Sequence, residues 1–374
     1  MNPSNLIPAL DPNPLPAPYW VLKLLLIVTF ALHIVAMNFM LGGAVLALAA
    51  RWSGKDREHS RRVFFDLAKK LPVLLPATIT LGIAPLLFLQ VLYGQYFYTS
   101  SIVMAWPWFL VLVFLTVAYY GFYYVSFRSG RDSRRAGAVM LASTLLVTLV
   151  GFTFSNNITL SQTPARWAAK YFAHPSGWEL NLGEPTLFPR FLHFFTAAVA
   201  VGGLLLVFMA LANWKRDHEY ARQLLQFGGK TFMYATMAQF VVGPTFLFTL
   251  PRNLRMMFMG DDPLATTLLL VGIAGGVAAI VVMSNALRSE NIRAAAFVVP
   301  GILAVVIACM STMRDLLRDA YLKPYFHPDQ FTVKTQWQVL PLFLALFVGG
   351  VVLWLVMMRR YGLLGGRKAS GTAG

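Results

Sequence analysis

The sequence predicts an all-α polytopic membrane protein of nine transmembrane helices, arranged as two parallel four-helix bundles plus one C-terminal helix. Three observations carry this. The 374 residues are 57% hydrophobic and only 12% charged, whereas soluble domains are roughly a quarter charged. Nine apolar runs of spanning length occur, near 20–50, 71–97, 103–127, 137–160, 188–213, 231–251, 264–286, 295–313 and 337–358. A spanning helix needs about 20 such residues. Finally, the chain repeats itself. FALHIVAMNFMLGG, at 30–43, places His33 nine residues before Gly42, and FLHFFTAAVAVGG, at 191–203, places His193 nine residues before Gly202.

The repeat sets the organisation. His33 with Gly42 and Gly43 anchors the first helix of one unit; His193 with Gly202 and Gly203 anchors the first helix of the other. The second helices share a weaker likeness, GIAPLLF (82–88) against VGPTFLF (242–248). An even number of spans per unit makes the copies parallel, related by an axis along the membrane normal. The expected divisions are an external N-terminal segment (1–19), a first bundle (20–160), an external loop (161–187), a second bundle (188–313), a second external loop (314–336), the ninth helix (337–358) and a cytoplasmic tail (359–374). Tyr19 and Trp20 mark an interfacial belt. The N-terminal MNPSNLIPALDPNPLPAP has no charged n-region or cleavage site, so it does not read as a signal peptide.

The formal charge of +16 is a topology signal. Of 31 Lys and Arg, 21 fall in alternate loops and the tail: within 51–70, 128–135, 215–230, 288–293 and beyond Met358. Nine fall in the other loops, and Lys23 opens the first span. The positive-inside rule makes the basic set cytoplasmic and the N-terminus external. Charge concentrated in alternate loops speaks against nucleic acid as a partner.

A single cysteine, Cys309, excludes a disulfide framework and a multi-cysteine metal or iron–sulfur site. No CxxCH exists, which excludes covalent c-type haem. Six histidines are present. His59 and His218 fall in basic loops, His174 and His327 in external segments, and solvation accounts for all four. His33 and His193 lie within spans, where ionisable groups are costly and mark function. A neutral imidazole there either bonds across helices or ligates haem iron, which takes His, Met, Cys or Tyr. Matched positions in two bundles favour the second. Methionine is the natural further ligand in a dry site. LRMMFMG (254–260) and ACMSTMR (308–314) put Met257 and Met310 near the depth of His193. Arg190, Arg252, Arg255, Arg314 and Arg318 cluster at external helix ends. They could hold haem propionates, contact lipid headgroups, or pair with Asp261, Asp262, Asp315 and Asp319. All 15 Asp and Glu lie outside the spans or at their ends, so the intramembrane carboxylates of proton pumps and buried oxygen-reducing sites are missing. Asn38, Gln90, Gln95, Gln239 and Asn285 remain as polar span residues, able to bond a quinone carbonyl or to tie helices together.

These residues resemble subunit I of cytochrome bd quinol oxidase. FALHIVAMNFMLGG and FLHFFTAAVAVGG look like its first-span and fifth-span haem segments, which implies His33 and His193 as haem ligands. TLGIAPLLFLQ is similar to its second span, and NNITLSQTP (156–164) resembles the signature closing its fourth. LRMM is similar to its Arg-x-Met at the seventh span, which implies Met257 as the partner of His193; Arg314 matches its arginine closing the eighth. The likeness runs over roughly residues 20–358.

Three departures qualify it. The third span lacks the family's glutamates. Met310 and Ser311 stand where a further glutamate ligand is expected. The quinol-binding loop is cut to PRNLRMMFMGDDP. The resemblance therefore implies a bacterial inner-membrane oxidoreductase subunit with one or two b haems. It would pass electrons between membrane quinol and a periplasmic redox partner such as a c-type cytochrome, with a second membrane subunit possible. A quinol:oxygen oxidoreductase and a haem-free transporter or membrane anchor are the alternative readings.

Overall fold

The computed structural model describes residues 7–53, 57–128, 134–173 and 175–360. His174, most of the C-terminal tail expected at 359–374 and the first six residues lie outside them. Twelve α-helices follow in order: α1 (Tyr19–Trp52), α2 (Arg57–Ala68), α3 (Leu71–Val103), α4 (Ala105–Phe127), α5 (Arg134–Ser161), α6 (Trp167–Ala173), α7 (Leu187–Asn213), α8 (His218–Thr249), α9 (Arg252–Met256), α10 (Pro263–Arg288), α11 (Val299–Leu322) and α12 (Val339–Arg360). One isolated bridge, Leu15 to Val333, is the only β pairing among the described residues. Eight helices are long and apolar enough to cross a membrane: α1, α3 (continuous with α2 over Glu58–Val103), α4, α5, α7, α8, α10 and α11. The ninth expected span is α12, whose described apolar part, Val339–Leu353, is shorter.

α1 is the spine. It packs along α3 on one side and α7 on the other, while α7 pairs with α8, α4 with α5, and α10 with α11. In lipid there is no hydrophobic drive between helices, so close packing and hydrogen bonds must hold them. The crossing of α1 and α7 shows how. Gly42 and Gly202 face each other, and a Cβ on Gly202 would come within 2.7 Å of Gly42 Cα. The first glycine of each repeated pair thus forms the joint between the two units, while Gly203 lies against Gly228 on α8.

The end of the bundle where α1 begins is called the leading end; the opposite end, carrying α2, is the basic end. The largest apolar cluster fills the basic end and centre, from Met40 to Val299. A second joins Leu15, Tyr93, Tyr96, Trp167 and Phe326 at the leading end, and a third joins Leu254, Phe258, Met313 and Leu317 where α9, α10 and α11 meet. Where the sequence suggested a basic loop over 51–70, α2 forms and pairs with the second unit: Arg62 Nη1 donates to Asp217 Oδ2 at 2.6 Å and its guanidinium lies 3.5 Å from the Tyr220 ring centre.

Two other boundaries differ from expectation. α11 continues past residue 313 to Leu322, because Asp315 and Asp319 pair with Lys23 on α1, Asp319 accepts from Tyr93 on α3, and Arg318 packs on the Tyr93 ring. The segment before α10 is a short helix and a wider turn, not a simple span start. Gly260 there takes φ 127°, which only glycine adopts without strain, and Asp262 then caps α10 by accepting from Ala265 N at 2.8 Å.

Candidate functional site

His33 lies on α1 facing α3. Its Nδ1 is 3.0 Å from the carbonyl oxygen of Thr78. That carbonyl can only accept, so Nδ1 carries the proton and Nε2 presents a lone pair. This is the tautomer of metal-bound histidines, whose other nitrogen donates to a carbonyl or carboxylate. The Thr78 side chain is engaged elsewhere, donating to Leu74 O at 2.8 Å. The ring rests on Gly82, where a Cβ would come within 2.8 Å of the imidazole Cε1.

His193 is built alike on α7 against α8. Gly243 lies under its ring, with a Cβ there 3.8 Å from Cε1 and Nδ1. Gln239 Nε2 donates to the His193 carbonyl at 2.9 Å and ties the helices. The counterpart of Gly82 is therefore Gly243, one residue off the register of the GIAPLLF and VGPTFLF strings. His193 Nδ1 and Gln239 Oε1 are buried with no hydrogen-bond partner among the described residues. Buried polar atoms are almost always satisfied, so these two stand out.

The other predicted residues divide. Phe246 is the hub near His193: the two rings are 6.5 Å apart, and the Arg190 guanidinium lies 5.2 Å from the Phe246 ring centre. Phe246, Met257 and Met310 all border the third apolar cluster, and Met310 Cε reaches toward Gly272 on α10. The two methionines belong to elements far apart in sequence and are brought to one cluster by the fold. Arg190 is 4% exposed, donates to Gln162 Oε1 at 3.1 Å, and leaves Nε without a partner. Arg314 sits over the Phe30 ring at 4.1 Å, also with Nε buried and unpartnered, and lies within electrostatic reach of Arg190, Arg318 and His33. Arg318 contacts Asp315.

Arg252 and Arg255 do not join this group. Arg252 is exposed, and Arg255 donates to Phe248 O at 3.3 Å on the surface. They follow a proline at the exposed end of α8, so their side chains stay at the surface.

The segment 161–187, expected as an external loop, is tied to the helix ends through its described residues. Asn156 Oδ1 accepts from Asn181 N at 3.1 Å, Asn181 Nδ2 donates to Thr159 Oγ1 at 3.2 Å, and Arg166 pairs with the buried Glu184 at 3.0 Å. The polar NNITLSQTP stretch is the floor of this seam. Its density of Asn, Thr and Gln inside a helix end was the available signal. Lys23 and Tyr93 were missed as partners of Asp315 and Asp319; the only hint was a lysine inside an apolar helix.

Among the described residues, no three His, Cys, Asp or Glu gather to hold a bare metal ion. No known protein-family model matches the chain, and no curated protein sequence matches it. Among solved structures, a chain of the bd oxidase from Geobacillus thermodenitrificans is similar in fold, with a TM-score of 0.65 at 14% identity, covering 91% of this chain and 96% of that chain.

Proposed function

We propose that this chain, which shares the fold of a bd oxidase chain, is a haem b-carrying membrane subunit. It would pass electrons between membrane quinol and a redox partner outside a bacterial inner membrane, such as a c-type cytochrome. The observation that carries this reading is the pair of intramembrane histidines whose ring nitrogens the protein leaves available. His33 spends Nδ1 on a backbone carbonyl, and His193 keeps a buried Nδ1 with no partner.

The residues fit the group. Each imidazole stands beside a glycine that leaves its ring room. The arginines nearby are buried with unused donors, the usual partners of carboxylates in a dry setting. In this reading His193 holds one haem, with Met257 as its second ligand and Met310 as the alternative sulfur. His33 holds another. Arg190 and Arg314 bind propionates, while Arg252 and Arg255, at the surface, do not, and Arg318 is largely neutralised by Asp315. The haem supplies one-electron exchange at iron. The chain's own residues do the rest: Thr78 holds the His33 tautomer, Gln239 pins the backbone that carries His193, and Phe246 screens the His193 side from water. The charge pattern puts the leading end outside.

A second reading, quinol:oxygen oxidoreductase, draws on the fold likeness alone. Against it, α3, α4 and α5 contain no Asp or Glu, so protons for oxygen would have no carboxylate route through the first unit.

A reduced-minus-oxidised spectrum of the purified protein, with haemochrome quantification, tests the proposal. Two b haems per chain support both histidines; one leaves His33 to helix packing. A chlorin-type band would favour the oxidase, and a well-folded preparation without haem would sink the proposal.

A further inference from the structure

A second group of buried ionisable side chains lies at the leading end, between α1, α3 and α11. Lys23 Nζ is 2.5 Å from Asp315 Oδ2 and 2.5 Å from Asp319 Oδ2. It also donates to Tyr93 Oη at 2.8 Å. Tyr93 in turn donates to Asp319 Oδ1 at 2.5 Å and lies 3.2 Å from Tyr19 Oη. The chain reaches this geometry by leaving helical φ/ψ at Tyr93, inside α3. Arg318 touches Asp315, though not in the orientation of a hydrogen bond, and covers the Tyr93 ring at 4.2 Å. The side chains of Asp315 and Arg318 are 5% exposed and that of Asp319 is 37% exposed. The cluster has a dry interior and one wet corner.

We propose that this cluster is a proton-exchange site, opening to water at Asp319, that binds or releases a proton as the charge beside His33 changes. The proposal rests on the haem reading above. Its own support is the charge balance and the path. Lys23 and Arg318 meet Asp315 and Asp319, so the four charges balance and one added proton leaves the cluster with a single positive charge. Arginine does not give up its proton, which leaves Lys23, the two carboxylates, Tyr19 and Tyr93 as the groups that can exchange. The link to His33 runs through Arg314. Its guanidinium lies over Phe30, one turn from His33 on α1, and Arg314 precedes Arg318 by one turn of α11. A negative charge arriving beside His33 favours the protonated cluster; its departure favours release. A purely structural clamp is the weaker account, because buried ion pairs seldom stabilise more than apolar packing would.

The balance is simple. For each electron entering from a quinol-class donor, at most one proton enters from the water at Asp319. When the electron leaves for an acceptor, that proton leaves by the same corner. Only O–H and N–H bonds form and break.

The test is a spectroelectrochemical titration of the full-length protein over a range of pH, with Lys23→Met and Asp319→Asn alongside. Reduction that draws in a proton makes the wild-type midpoint potential fall as pH rises. Each variant is expected to cut that slope by about half or more. Asp319→Asn keeps the shape of a partly exposed side chain, so a folded variant is available if Lys23→Met fails to insert. A pH-independent wild-type potential, or an unchanged slope in both variants, overturns the proposal while leaving the haem reading intact. Absence of any haem signal overturns the haem reading and this proposal with it.

Discussion

The His33 ring lies against Gly82 so closely that a Cβ on the glycine would come within 2.8 Å of the imidazole Cε1. The two residues are 49 positions apart, on α1 and α3, and the fit leaves the ring one orientation, with Nδ1 on the Thr78 carbonyl. A side chain at 82 must displace the ring or part the helices. Gly82→Val is expected to lower haem content by one equivalent while the protein still inserts, read by haemochrome assay per chain. Gly243→Ala, whose Cβ would meet His193 at an ordinary 3.8 Å, is expected to leave haem content unchanged. Equal loss in both would separate haem retention from ring placement.

His193→Ala removes a buried ring whose Nδ1 makes no hydrogen bond to any described residue. The cost to the bare fold is therefore a cavity term with no broken polar contact. The variant is expected to insert at normal yield and to lose one b-type signal in the reduced-minus-oxidised spectrum. Retention of the full signal would remove His193 from the ligand set.

The buried and surface arginines should behave differently. Arg190→Gln removes a cation 4% exposed, held by Gln162 and facing Phe246. Arg252→Gln changes an exposed one. The first is expected to lose haem several-fold faster to a haem scavenger than the second, which should match the parent. Breaking a buried charge–hydrogen-bond contact typically costs about 1–3 kcal/mol, so the contrast is large enough to measure.

Gly202→Leu should be strongly damaging at the joint between the units. Its Cβ would fall within 2.7 Å of the α1 backbone at Gly42, which cannot move aside as a side chain can. Overpacking of this kind costs about 1–3 kcal/mol and sometimes more. The expected result is reduced yield and a lowered melting temperature in detergent, with both haem signals falling together.

At the basic end, Arg62 and the N–H of Tyr220 hold the Asp217 carboxyl below the usual carboxylate range. A carboxyl depressed in the folded state contributes stability that is present above its unfolded value and lost as pH falls through its folded value. Asp217→Asn is therefore expected to lower the melting temperature slightly at neutral pH and to match the parent in strong acid. A difference that persists in acid would assign the effect to helix capping alone.

The sequence by itself determined the class of fold, the number of long apolar segments and the two histidines worth asking about. These depend on composition and on spacing along one helix, which a chain in lipid must express openly because every span has to hide its own backbone. It also marked Gly42 and Gly202 as a repeated pair. It did not say that they touch each other, since the contact joins helices 160 residues apart. The partners of the charged groups were decided only in three dimensions. Asp315 and Asp319 read as loop carboxylates, yet α11 carries them inward to Lys23 and Tyr93, and three of five arginines turn inward while Arg252 and Arg255 stay out. Whether an ionisable group at a helix end is solvated or buried depends on what the neighbouring helices present at that height, and helix packing across the bundle settles that.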